Sequence, residues 1–126
     1  MRTVVLKRGT GTVAMALTLA AGAVAATPAP AFAGQNHCMW IGSAPGGNGN
    51  IKLQQNCGVT GTYHMDVWGA GHRRTHTRDY RYYGVVAINR YANWRIPHGA
   101  QVCGELWYHK PGGGYESMGL PCWTRP

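Results

Sequence analysis

Acidic residues are scarce in this chain of 126 residues, with four Asp and Glu against twelve Lys and Arg. A glycosidase needs two carboxylates facing one substrate. Asp66, Asp79, Glu105 and Glu116 lie in different segments, and nothing in their spacing suggests such a pair. Serine is scarcer still: Ser43 and Ser117 are the only two, and neither sits in a nucleophile-elbow motif. No pattern of a long amphipathic helix is visible, and no apolar run reaches the roughly 20 residues of a membrane-spanning helix. These absences make an enzyme unexpected and a membrane span unexpected.

What is present begins with an export pattern. Basic Arg2, Lys7 and Arg8 precede an apolar stretch over residues 13–26, then Thr27-Pro28-Ala29-Pro30 and the small-residue site Ala31-Phe32-Ala33. The stretch is broken by Gly22, and Lys7-Arg8 is no twin-arginine pair, so the general secretory route is expected. Residues 1–33 read as a secretory signal peptide and residues 34–126 as a single β domain, secreted and extracellular. A domain this short buries only roughly 60–65% of its unfolded surface, so covalent staples matter.

Cys38, Cys57, Cys103 and Cys122 supply the staples, because an oxidising compartment favours disulfides over thiols. With all four oxidised, thiolate chemistry is not expected. Cys38 and Cys57 are nineteen residues apart, and so are Cys103 and Cys122. The midpoint of the first pair falls between Gly47 and Asn48, and that of the second between Gly112 and Gly113. Both dipeptides suit two-residue hairpin turns, which require positive φ. Counting outward brings each cysteine pair face to face, within the separation a disulfide spans. The expected bridges are therefore Cys38–Cys57 and Cys103–Cys122, with two other connectivities open. The same count sets His109 opposite Glu116, Trp107 opposite Met118 and Leu106 opposite Gly119.

Between the hairpins, Tyr63, Met65 and Val67 alternate with His64, Asp66 and Trp68, the period of a half-buried strand. Residues 84–88 (Gly-Val-Val-Ala-Ile) read as a buried central strand. Residues 69–79 read as a polar, basic loop, and residues 89–99 as a packed connection. The fold class is all-β: a small sandwich or barrel of about six strands with two disulfide-clamped terminal hairpins.

Six histidines raise the question of a metal. His72 and His76 have the spacing of two ligands on one helical turn, but Arg73, Arg74 and Arg78 around them repel a cation, and the segment reads as loop. His37 would stand fourth after cleavage at Ala33, and third, where an amino-terminal copper site forms, after cleavage one residue later. Neither cofactor nor metal is expected.

The strongest local departure from average composition is basic and aromatic. His72, Arg73, Arg74, His76, Arg78 and Arg81 are offset only by Asp79, with Tyr80, Tyr82 and Tyr83 among them. Arginine beside tyrosine is the composition of interface hot spots, and it also suits an anionic wall polymer or stacked nucleic acid. Outside the cell nucleic acid is the least expected of these. Three basic residues leave with the leader, so nine Lys and Arg face four acids, a net charge of +5. Trp40, Trp68, Trp94, Trp107 and Trp123 exceed what a small core usually holds, which suggests that some are exposed and could stack on sugar rings.

The Ala-rich leader ending in Ala31-Phe32-Ala33, followed by a Gly- and Trp-rich domain with Cys38, Cys57, Cys103 and Cys122, resembles small two-disulfide β proteins secreted by actinomycetes. That class includes proteinase and amylase inhibitors and the adaptor subunits of secreted antibacterial toxin particles. No reactive-site or interface motif matches, so the resemblance assigns no residue. It implies a non-enzymatic binding protein engaging another extracellular protein as adaptor, assembly subunit or enzyme inhibitor. The alternative is a carbohydrate- or wall-binding module. The expected working surface is His72, Arg73, Arg74, His76, Arg78, Tyr80, Arg81, Tyr82 and Tyr83.

Overall fold

The computed structural model describes residues 34–126; the expected signal peptide lies outside them. The described chain is all-β, with two antiparallel sheets. The first has the order β1 (Gly34–Asn36), β2 (Met39–Ser43), β3 (Ile51–Gln55) and β7 (Ile88–Ala92). The second has the order β10 (Cys122–Thr124), β8 (Gln101–His109), β4 (Gly61–Gly69) and β5 (His72–His76). Two short strands extend it, β6 (Tyr80–Tyr82) on β4 and β9 (Tyr115–Ser117) on β8. No helix among the described residues is long and apolar enough to cross a membrane.

Period-two alternation builds the core. Ile51 and Leu53 of β3 and Met39 and Ile41 of β2 face Tyr63, Met65 and Val67 of β4 and Val102 and Leu106 of β8, all in one buried cluster. Burying each such aliphatic side chain contributes roughly 1.5–3 kcal/mol. The sheets approach closely where β8 carries Gly104, at which a Cβ would lie 2.8 Å from Met39 Cε. The alternation expected over residues 63–68 is therefore the inner and outer face of a real strand, the longest together with β8.

Both expected disulfides are present: Cys38–Cys57, with Cα atoms 4.8 Å apart, and Cys103–Cys122, with Cα atoms 4.0 Å apart. The register near each turn departs from the count by one residue. Ser43 pairs with Ile51 and His109 with Tyr115, so each turn is a longer loop centred on one glycine, Gly47 or Gly112, instead of a two-residue turn. Each hairpin recovers the missing residue beyond the paired segment. Cys57 lies just past the end of β3, while Met118 and Gly119 together face Leu106 before β10 resumes with Cys122 opposite Cys103. Consequently His109 does not face Glu116, which pairs with Tyr108, and Trp107 faces Ser117 instead of Met118.

Two segments differ from expectation. Residues 84–88 are not a buried strand: Val85 is 83% exposed and Val86 70%, and only Ile88 enters β7. The chain leaves one sheet at Tyr82 and joins the other at Ile88, so the crossing residues have no strand to pair with. Residues 69–79 are not simply a loop, because β4 turns at Gly69, Ala70 and Gly71, all at positive φ, and returns as β5. As an edge strand with every residue exposed, β5 carries no hydrophobic alternation to reveal it, and its charges suit an unpaired edge. Residues 89–99 combine most of β7 with a connection packed through the fully buried Ile96.

Candidate functional site

The outer face of the second sheet is lined with polar and aromatic side chains because four strands deliver them there. From β4 come His64, Asp66 and Trp68, and from β8 come Glu105, Trp107 and His109, with Asp66 paired to Glu105 and His64 to Trp107. β5 adds Arg74 and His76 along one side, and β9 adds Tyr115 and Ser117 along the other.

At the centre stand two carboxylates, Asp66 and Glu105, 6% and 7% exposed. Arg74 spans them: its Nε donates to Asp66 Oδ2 at 2.7 Å and its Nη2 to Glu105 Oε1 at 2.6 Å. Trp107 Nε1 donates to Asp66 Oδ2 at 3.2 Å, and Ser117 Oγ donates to Glu105 Oε2 at 2.7 Å. Partial burial opposes the charge on Arg74, but the hydrogen bonds and charges of the two carboxylates outweigh it and hold its pKa above the ordinary value. The sequence offered no sign of this carboxylate pair. It is committed to a guanidinium, and the Ser117 hydroxyl is engaged with it.

Asp66 Oδ1, buried and without a hydrogen bond, faces the histidines. His64 Nε2 lies 3.4 Å and His76 Nδ1 3.3 Å from that oxygen. On its other side, His64 Nδ1 is 2.8 Å from His109 Nε2, and Asp79 Oδ1 stands 3.9 Å from the first nitrogen and 3.7 Å from the second. Burial lowers the pKa of His64, assisted by His109 and His76 and opposed by Asp66 and Asp79. A cavity of about 220 Å³, lined by His64, His76, Thr77, Asp79 and Tyr115, opens at this end of the face. His64, Asp79 and His109 are thus the group among the described residues that could hold a metal.

The residues expected as a working surface divide. Arg74 and His76 join the outer-face cluster, and the exposed His72 stacks on Trp94 with ring centroids 4.1 Å apart. Tyr82, at 3% exposure, is a core residue, and Tyr80 turns inward to donate its hydroxyl to Gln55 Oε1 at 2.6 Å. Tyr82 therefore does not belong on a contact surface, and Tyr80 is only partly exposed. Arg73, Arg78, Arg81 and Tyr83 remain exposed, with the Arg81 guanidinium 5.9 Å from the Tyr83 ring centre. Tyr83 opens the exposed loop of residues 83–87, and Gly84 lies beside Gly58 and Thr60, which places the exposed Val59 next to the loop.

Every tryptophan is at least partly covered, contrary to the expectation that some stand open. Trp123 is buried, Lys52 lies over Trp40 and Arg74 over Trp68. Trp94 is stacked under His72, and Trp107 is tied to Asp66.

The outer-face cluster escaped the sequence because β4 and β8 are some forty residues apart and their pairing is non-local. The signal was present in part: His64 and Asp66 occupy the polar phase of a visible alternation. No protein family, curated protein or solved structure matches this chain.

Proposed function

We propose that the protein is exported and acts, without catalysis, by binding another extracellular protein, as an adaptor or assembly subunit or as an enzyme inhibitor. The observation that carries this reading is the open apolar loop over residues 83–87. Val85 and Val86 are the most exposed large hydrophobic residues of the described chain. Tyr83 and Val59 flank them. A cluster of exposed apolar side chains where the chain crosses between the two sheets supports the reading of a contact surface. Buried Tyr82 and the start of β7 hold the two ends of the loop, which lowers the entropy cost of association.

The surroundings support the same reading. Among the described residues, Arg74 is the only Lys or Arg with a carboxylate within ion-pair distance, so the exposed Arg81, on the strand that leads into the loop, is available to meet an acidic rim on a partner. Two disulfides suit a chain outside the cell. The resemblance to two-disulfide actinomycete proteins motivates the choice between adaptor and inhibitor, with a slight preference for the adaptor.

Affinity capture from extracellular fluid tests the reading: one partner protein should be recovered in stoichiometric amount, and recovery of the domain alone would defeat it. Slowing of a proteinase or glycosidase would select the inhibitor form. Depletion by purified cell wall at low salt, without a protein partner, would transfer the assignment to wall binding.

A further inference from the structure

The geometry points to a divalent transition-metal site formed by His64 Nδ1, His109 Nε2 and Asp79 Oδ1 on the outer face of the second sheet. This inference is independent of the protein-partner reading, because it uses none of the residues of the 83–87 loop: His64 and His109 lie on β4 and β8, and Asp79 on the connection between β5 and β6.

Four features converge. First, the donor atoms form a triangle with edges of 2.8, 3.7 and 3.9 Å. Metal–nitrogen and metal–oxygen bonds of about 2.0–2.2 Å in a tetrahedral shell place ligand atoms about 3.3–3.5 Å apart, so shifts of a few tenths of an ångström close the triangle around one ion. Second, His64 uses its other nitrogen toward a carboxylate. Its Nε2 faces Asp66 Oδ1 at 3.4 Å, and that oxygen is buried with no hydrogen-bond partner. A carboxylate behind a ligating imidazole fixes the tautomer that presents the opposite nitrogen to the metal and raises its basicity.

Third, the charges match. Arg74, Asp66, Glu105 and Asp79 sum to −2 with the imidazoles neutral, which a divalent cation balances. The arginines that argue against a metal between His72 and His76 do not act here: Arg74 is already bound to Asp66 and Glu105, and neither Arg73 nor Arg78 pairs with an acid of the cluster. Fourth, the neighbouring cavity leaves room for a further ligand, such as water, beside Thr77 and Tyr115. Two imidazoles and one carboxylate suit zinc or copper(II) better than calcium or magnesium, which take oxygen shells.

Isothermal calorimetry with zinc chloride on the purified, disulfide-intact, untagged protein tests the site, alongside Asp79→Asn and His109→Ala. Asp79 is mostly exposed, so its amide variant keeps the fold, and a thermal melt checks His109→Ala. One zinc per chain is expected, weakened more than about 100-fold in both variants, beyond the loss typical of an outer-shell change. A His72→Ala control should bind as the parent does. Absence of one-to-one binding, or binding that survives both variants, would overturn the proposal and leave the three groups as a hydrogen-bonded surface cluster.

Discussion

Asp66 and Glu105 stand directly opposite each other on β4 and β8, both buried, and the guanidinium of Arg74 holds one oxygen of each. Like charges opposed across a strand pair repel. One cation from a third strand meets both and offsets that repulsion, with Trp107 and Ser117 donating a hydrogen bond to one carboxylate each.

Removal of that cation should be costly. Arg74→Met leaves two buried carboxylates facing each other, and breaking a buried pair costs about 3–5 kcal/mol. The Arg74 side chain is 44% exposed, and solvent screening reduces the expected loss to about 2–3 kcal/mol. Urea unfolding would show it. Arg74→Lys should recover less than half, since an ammonium lacks the planar fork that reaches both acids. A loss below about 0.5 kcal/mol in Arg74→Met would mean that the clamp is not a stabilising unit.

The two disulfides close loops of equal length, with a sequence separation of 19 in each. Chain-entropy reasoning then assigns about 3 kcal/mol to each. Replacing Cys38 and Cys57 by serine, or Cys103 and Cys122, should lower stability by similar amounts in denaturant titrations. Peptide mapping of the non-reduced protein should recover the two pairs separately; a Cys57–Cys103 peptide would contradict the fold.

Alkaline pH should weaken the fold through the tyrosines. Burial raises the pKa of Tyr80 strongly, against the opposing charge of Arg90, and burial also raises Tyr63. A raised tyrosine pKa means that the folded state keeps its proton after the unfolded chain has lost it. The stability from this source is complete below about pH 10, the value of an unperturbed tyrosine, and declines as pH climbs toward the folded value. Tyr80→Phe should flatten that decline while losing the hydrogen bond to Gln55. An equally steep decline in the variant would assign alkaline unfolding to other groups.

The elements legible in the sequence were those governed by local spacing. Equal cysteine intervals around Gly-rich turns revealed both bridges, and the His64–Trp68 alternation revealed β4. Val85 and Val86 misled because an apolar run carries no record of whether it is buried or crossing between sheets. β5 was missed for the opposite reason, having no apolar residue to mark a face. The outer-face cluster depends on the Asp66–Glu105 pairing, a contact between distant segments that spacing alone does not encode.

The central claim is that the loop over residues 83–87 is a protein-binding surface, and partner capture with an altered loop tests it most directly. Val85→Asp with Val86→Asp replaces two exposed side chains, so melting should change little, by about 0.5 kcal/mol or less. Buried at an interface, the two valines lose apolar burial worth about 2 kcal/mol or more when replaced, roughly a thirtyfold loss of affinity. The account predicts that the parent protein retains its partner and the folded variant releases it. Equal capture by both would contradict it.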